Sequence, residues 1–237
     1  VTSVFGDLDL LLAKNDNSNY YVPTYNVDQI GDIEIDEGYR AFVGVHEDQS
    51  ITITGNPVNA DHLIELNAYM KNYLPFLPQE EVSAFEAFGP YDEHILVISD
   101  DDGRNYIPSF EIYSLTTLYP GEAYMVFLSG VDDIDFMYPS EAVFSRHPDT
   151  EIYDMLYEAS KSDQYTISPT GISQPIVITH INGYIHEEDE IIAYANGNSV
   201  GATKVVDLSK PIVITAWEGY HDQMIDLEGY MLGDDIE

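Results

Sequence analysis

Two runs of carboxylates are the first candidates for chemistry. Asp100, Asp101 and Asp102 stand in a row between apolar Leu96-Val97-Ile98 and Tyr106-Ile107, and Asp132, Asp133 and Asp135 stand close together further along. Clustered carboxylate oxygens suit a hard divalent cation, so Ca²⁺ is the one ion these six residues would take, and no other cofactor is implied. The spacing is not that of an EF-hand loop, whose twelfth-position Glu is missing. On this reading neither run has a basic partner, and the competing reading of each is a plain solvated turn. His180 and His186 lie near one another, followed by Glu187, Glu188 and Asp189. Their spacing fits neither a helical His-Glu-x-x-His zinc site nor two histidines on one strand face, so a solvated, salt-linked arrangement is expected.

Catalytic signatures are otherwise absent from the sequence. Zero cysteines remove thiol nucleophiles, Cys-ligated zinc and disulfides together. No Gly-x-Ser-x-Gly elbow, phosphate loop or dinucleotide fingerprint occurs. Paired carboxylates could in principle hydrolyse glycosides, but among 43 acidic residues pairs are unavoidable and carry almost no information. The chain reads as non-enzymatic, with no catalytic residues to assign.

Charge narrows the partners. Over 237 residues, 43 acids face only 8 Lys and Arg, for a formal charge of −35. No basic patch exists to neutralise phosphates, which excludes nucleic acid and argues equally against an anionic lipid surface. No apolar run approaches the roughly 20 residues that a membrane-spanning helix needs. The acid runs through the whole chain, as expected for solvated faces of folded modules whose self-repulsion salt relieves. With 44% hydrophobic residues, those modules can bury real cores.

The elements that would position any site are organised by an internal repeat. Leu11-Leu12-Ala13, Asn15-Asp16-Asn17-Ser18 and Tyr21-Val22-Pro23-Thr24-Tyr25 recur as Leu96-Val97-Ile98, Asp100-Asp101-Asp102-Gly103 and Tyr106-Ile107-Pro108-Ser109-Phe110. Pro23 and Pro108 set the offset at 85 residues, which continues ungapped to Glu37-Gly38-Tyr39 against Glu122-Ala123-Tyr124, and to Phe42 against Phe127. An apolar run, an Asp/Asn/Gly/Ser cluster and a second apolar run make a β-hairpin, and Asp102-Gly103 has the chemistry of a positive-φ turn. Residues 38–43 and 123–128 supply a further strand each. The recurring Tyr21, Tyr106, Tyr39 and Tyr124 are expected in the β core, with stacking on a ligand as the competing role. Trp217, the only Trp, suits core or interface equally.

Two helices are expected. Val82, Phe85 and Phe88 recur three apart after Pro78 within 79–88, and Pro148-Asp149 opens a second helix with Ile152, Met155, Leu156 and Ala159 on one stripe. That stripe is expected to pack on a neighbouring module, with a spacer or partner-docking role as the alternative. Turn signals at Asn182-Gly183 and Asn196-Gly197 divide strand-like runs in the last part. The expected organisation is a first β repeat over 1–59, a second over 60–143, a helical bridge over 144–168 and a C-terminal β module over 169–237. Fold class follows: mainly β, tandem small β-rich modules plus an all-β sandwich-like module, with few short helices. The first repeat lacks the segment that opens the second, so the chain is expected to be a piece of a longer polypeptide, with an edge that assembly covers.

The pattern of apolar strand, Asp/Asn/Gly turn, Tyr-x-Pro-x-aromatic, Ile30-Gly31-Asp32 and Gly38-Tyr39 resembles a repeat of secreted surface proteins of marine bacteria. It is also similar to repeats in structural proteins of marine tailed phages. Residues 10–42 and 95–127 carry it. A Gly-Trp-Asn segment usually opens that repeat, where Ala68-Tyr69-Met70 stands here, and Thr116-Thr117 replaces the Gly-Asp of the first copy. Residues 172–237, with Asp189-Glu190-Ile191-Ile192, Ile214-Thr215-Ala216-Trp217 and Gly229-Tyr230, are similar to β modules of bacterial surface proteins. The resemblance implies an extracellular, cell-surface or virion setting, and it brings no catalytic residues. The expected function is a structural or adhesive component of an extracellular assembly, with protein partners. Carbohydrate-binding modules of a larger secreted enzyme, with a glycan partner, are the alternative.

Overall fold

Short apolar runs separated by turn residues can only satisfy their backbone by pairing antiparallel with near neighbours, and this is the plan of the molecule. The computed structural model describes residues 1–6, 8–44, 49–140, 147–221 and 225–237. The fold is mainly β with many antiparallel sheets and few short helices. It divides into two compact units, Val1–Leu96 with Thr117–Ser145, and Val97–Thr116 with Arg146–Glu237. The 60–143 segment of the sequence therefore contributes to both units.

In the first unit, four strands lie in the order Val27–Asp28, Tyr20–Val22, Leu10–Lys14 and Arg40–Val43. Ala13 pairs with Tyr21 on one side and Ala41 on the other, which turns Leu10, Ala13 and Tyr21 into a core with Val1 and Phe5. Phe5 meets Tyr39 edge-on at 6.3 Å. Three further strand pairings follow: Asn72–Pro75, an edge strand, with Ala123–Leu128, Ile64–Leu66 with Ile134–Phe136, and Val82–Ser83 with Thr117–Leu118. Around them rings replace long strands as the source of burial. Phe136 contacts Phe88, Tyr91 and Tyr138 at 5.8, 5.0 and 4.8 Å, and Phe76 lies 5.2 Å from Tyr138. Each buried phenol in this cluster finds a bond: Tyr138 donates to the Pro75 carbonyl and Tyr124 accepts from the Tyr119 N–H.

The second unit holds the hairpin in which Ile98 pairs with Tyr106 and Tyr106 with Tyr113, and the helix Thr150–Ala159. It also holds two ribbons that pack face to face. Ser173–Ile178 pairs with Ile212–Trp217, and Glu190–Ala195 pairs with Asn198–Lys204 through the two-residue loop Asn196-Gly197. Asn196 and Gly197 have φ of 50° and 84°, the left-handed pair that a tight hairpin loop demands. Ala193, Ala195 and Val200 of one ribbon meet Ile214 and Ala216 of the other. Small residues let the ribbons close: a Cβ on Gly201 would lie 2.5 Å from the Thr215 carbonyl oxygen.

The 85-residue offset recurs in the backbone itself. Strands Leu10–Lys14 and Ile95–Ser99, strands Tyr20–Val22 and Asn105–Ile107, 3₁₀ turns Pro23–Tyr25 and Pro108–Phe110, and strands Val27–Asp28 and Ile112–Tyr113 keep that spacing end to end. Both 3₁₀ turns close on a left-handed residue, Asn26 at φ 51° and Glu111 at φ 53°.

Two expectations are corrected. Only Ala84–Phe88 of the 79–88 segment is helical, because Val82 and Ser83 are drawn into pairing with Leu118 and Thr117. Of the stripe expected on the helix Thr150–Ala159, Leu156 and Ala159 are half-buried, but Ile152 and Met155 face solvent, 48% and 63% exposed, and Tyr153 and Tyr157 are half-buried in their place. Tyr153 meets Tyr113 edge-on at 5.3 Å.

Replacing Gly201 with Ala forces the ribbons apart and should cost about 2–3 kcal/mol in urea unfolding. Gly130→Ala, whose Cβ position has only the Asp132 backbone nitrogen nearby at 3.9 Å, should instead change stability by less than about 0.5 kcal/mol.

Candidate functional site

The repeated hairpin turn places the first Asp run. In the first copy Asn15 accepts the Asn19 N–H on Oδ1 at 2.8 Å; in the second, Asp100 accepts the Arg104 N–H on Oδ1 at 2.7 Å. The same backbone bonds close both turns, Asn15 N–H to Asn19 O and Asp100 N–H to Arg104 O, each 3.1 Å. Ser18 at φ 64° and Gly103 at φ 80° hold the left-handed position. The first residue of each run is thus a brace inside the turn, and its chemistry differs only by amide against acid.

Asp100 does not face water. Its side chain is 10% exposed, beneath Arg104 guanidinium atoms 4.0 Å away, and Arg104 also reaches Asp102 at 3.9 Å. The run therefore has a basic partner, which corrects the expectation that it has none. The turn is docked within its unit: Thr215 donates to the Gly103 carbonyl at 3.0 Å, Asn105 Nδ2 at 2.8 Å, and the Tyr157 hydroxyl to the Asp102 carbonyl at 3.2 Å. Gly103 lies flush on Trp217, whose ring a Cβ there would meet at 2.8 Å, and Trp217 is core. Burial pushes the Asp100 carboxyl up to about 7, against the pull of the Arg104 N–H and guanidinium and with the help of Asp102 and Asp101. Burial, followed by the Asp100 charge, also lifts Tyr157 to about 12. Asp101 and Asp102 are exposed.

The second run is scattered. Asp132, Asp133 and Asp135 are exposed; Asp133 accepts the Ala68 N–H at 2.7 Å, and Asp135 stands opposite Glu65 across a two-strand ladder. Among the described residues, no three His, Asp or Glu side chains gather where they could hold a metal ion. His180 bonds Asn182 at 3.0 Å, and His186 stands 3.5 Å from Asp189. Tyr21, Tyr106 and Tyr124 are buried and Tyr39 half-buried, so the recurring tyrosines belong to the core.

One carboxyl pair escaped the sequence reading. Glu37 lies beside Asp16, and burial raises its pKa, with the Asp16 charge adding to it. Tyr39 donates to Glu37 Oε2 at 2.7 Å and accepts the Glu34 N–H at 3.0 Å; burial and Glu37 raise its phenol. The repeated Glu37-Gly38-Tyr39 motif was the visible signal; the partner Asp16 was not. Comparisons with protein-family models, curated proteins and solved structures give no match to this chain.

Because the folded Asp100 pKa lies above 3.8, the fold holds its proton more tightly than the unfolded chain does. This residue's contribution therefore falls as pH rises from about 4 to about 7, and stays flat above. Asp100→Asn, the residue its sister turn already uses, should raise stability at about pH 8 by on the order of 2–4 kcal/mol and change little near pH 4. Urea titrations of both proteins at the two pH values, followed through Trp217 fluorescence, measure the difference.

Proposed function

We propose that the chain is a non-enzymatic structural or adhesive component of an extracellular assembly, on a cell surface or in a virion, with protein partners. The observation that carries this reading is the joint inside the first unit. Strand Asn72–Pro75 has one edge on Ala123–Leu128, and its other edge is met by the first repeat: Gly38 donates to the Tyr73 carbonyl at 2.8 Å and Asp16 Oδ2 accepts the Tyr73 N–H at 3.5 Å. A Cβ on Gly38 would strike Ala123 and Tyr73 at 2.8 Å. Successive modules joined backbone to backbone make a stiff spacer, which is what a fibre or surface protein needs and a mobile catalytic cleft does not. The charge of −35 suits a solvated, self-repelling outer surface. Among the described residues no helix is long and apolar enough to cross a membrane.

A glycan-binding module set is the second reading, and one residue favours it. Tyr69 is 81% exposed at φ 59°, on a turn pinned by Asn72, which accepts the Asn67 N–H at 2.7 Å and donates to the Met70 carbonyl at 3.3 Å. A ring held outward on strained backbone is suited to stacking.

Sedimentation velocity over a wide concentration range tests the first reading. Association that rises with concentration, with a melting temperature that rises alongside, is expected; a monomer whose melting temperature is independent of concentration counts against it. Gly38→Val should open the joint, read as faster hydrogen exchange across residues 10–43 while Ile64–Leu66 stays protected. Glycan-array binding that Tyr69→Ala abolishes would move the assignment to the second reading.

A further inference from the structure

The sequence contains three sites at which glycine follows Asn or Asp on a turn: Asp102-Gly103, Asn182-Gly183 and Asn196-Gly197. Such pairs have a common intrinsic reactivity, because a glycine nitrogen, unshielded by a Cβ, can attack the preceding side-chain carbonyl carbon. The fold treats the three differently. Asn196-Gly197 is the whole loop of a hairpin closed by Ala195 opposite Asn198, with both φ values positive, so the rotation that would bring the Gly197 nitrogen to Cγ breaks the ladder. Gly103 is buried, its N–H turned to the Asp100 carbonyl and its Cα against Trp217. Asn182-Gly183 lies outside every strand and helix, both residues are exposed, and nothing stands within 4 Å of a Cβ position on Gly183. The Asn182 amide oxygen is also hydrogen-bonded to His180 Nε2 at 3.0 Å.

We propose that Asn182-Gly183 is a self-modifying site that deamidates in the folded chain, with His180 assisting, while Asn196-Gly197 is protected by its hairpin. In the first step the Gly183 nitrogen bonds to Asn182 Cγ and the Cγ–Nδ2 bond breaks. The proton of the Gly183 nitrogen passes through solvent to the departing ammonia, which leaves a cyclic imide. Water then opens the ring at either carbonyl, giving aspartate or isoaspartate at position 182. No oxidant, reductant or cofactor enters. An Nε2–H of His180 donated to the amide oxygen draws electron density from Cγ at the moment of attack. The product adds one more negative charge to an already acidic surface, or, as isoaspartate, one extra carbon to the backbone of an exposed loop.

Peptide mapping by mass spectrometry during incubation of the folded chain in mildly alkaline buffer tests this. Amide-to-acid conversion at position 182 should run at least several-fold ahead of conversion at position 196, and the two should converge in urea, where the hairpin is lost. Gly183→Ala, which meets no neighbour and should leave the melting temperature unchanged, should slow the reaction at position 182 several-fold. For His180 the readout is the rate at position 182: His180→Ala should slow it several-fold while leaving position 196 unchanged, and His180→Gln, which keeps a donor, should restore part of it. Equal rates at 182 and 196 in the folded chain would overturn the assignment of the site. Equal rates at position 182 in wild type and His180→Ala would overturn the part given to the imidazole.

Discussion

A side-chain oxygen at the first position of each repeated turn accepts the backbone N–H four residues later, and the register of everything around it depends on that bond. Asn15 does this in one copy and Asp100 in the other. Strand side chains alternate, so a slip of one residue would exchange the core and solvent faces. By fixing the loop, the bond places Tyr21 opposite Ala13 and Tyr106 opposite Ile98, with both tyrosines inward. The 3₁₀ corner at each Tyr-x-Pro then turns the chain back into the next short strand.

Short strands bring a difficulty that aromatic residues resolve. A ladder of two to six residues buries little by itself, so the apolar area comes from ring clusters such as Phe76, Phe88, Phe136 and Tyr138. Tyrosine serves because its ring packs while its hydroxyl satisfies a stray carbonyl or N–H, as Tyr138 and Tyr124 do. The same economy governs charge. With 8 Lys and Arg in the chain, Arg104 is placed at a largely buried carboxylate, and Lys204 is bonded to Asp163 at 2.9 Å beside Glu188.

Both units use a repeated hairpin tip as a docking element. In the first, the region of Asp16 and Gly38 closes the edge of strand Asn72–Pro75; in the second, Gly103 and its flanking carbonyls rest on Trp217, Thr215 and Tyr157. Each contact requires the absence of a Cβ at one glycine. The spacer reading rests on the first of these contacts, where the repeat closes a strand edge backbone to backbone.

The sequence alone determined the local hairpins, the 85-residue offset, the positive-φ positions at Gly103 and Gly197 and the inward tyrosines, because turn chemistry and strand alternation act between near neighbours. It also determined the acidic surface and the β-rich class, which are sums over composition. Only the tertiary structure decided that Val82 and Ser83 leave their helix to pair with Leu118 and Thr117, and that Tyr153 and Tyr157 are half-buried in place of Ile152 and Met155 on theirs. It alone separated Asp100 from its two neighbours by burial, gave it Arg104 as partner, and brought Glu37 to Asp16. Burial and long-range pairing depend on what arrives from elsewhere in the chain, and three adjacent aspartates look identical until the fold covers one of them.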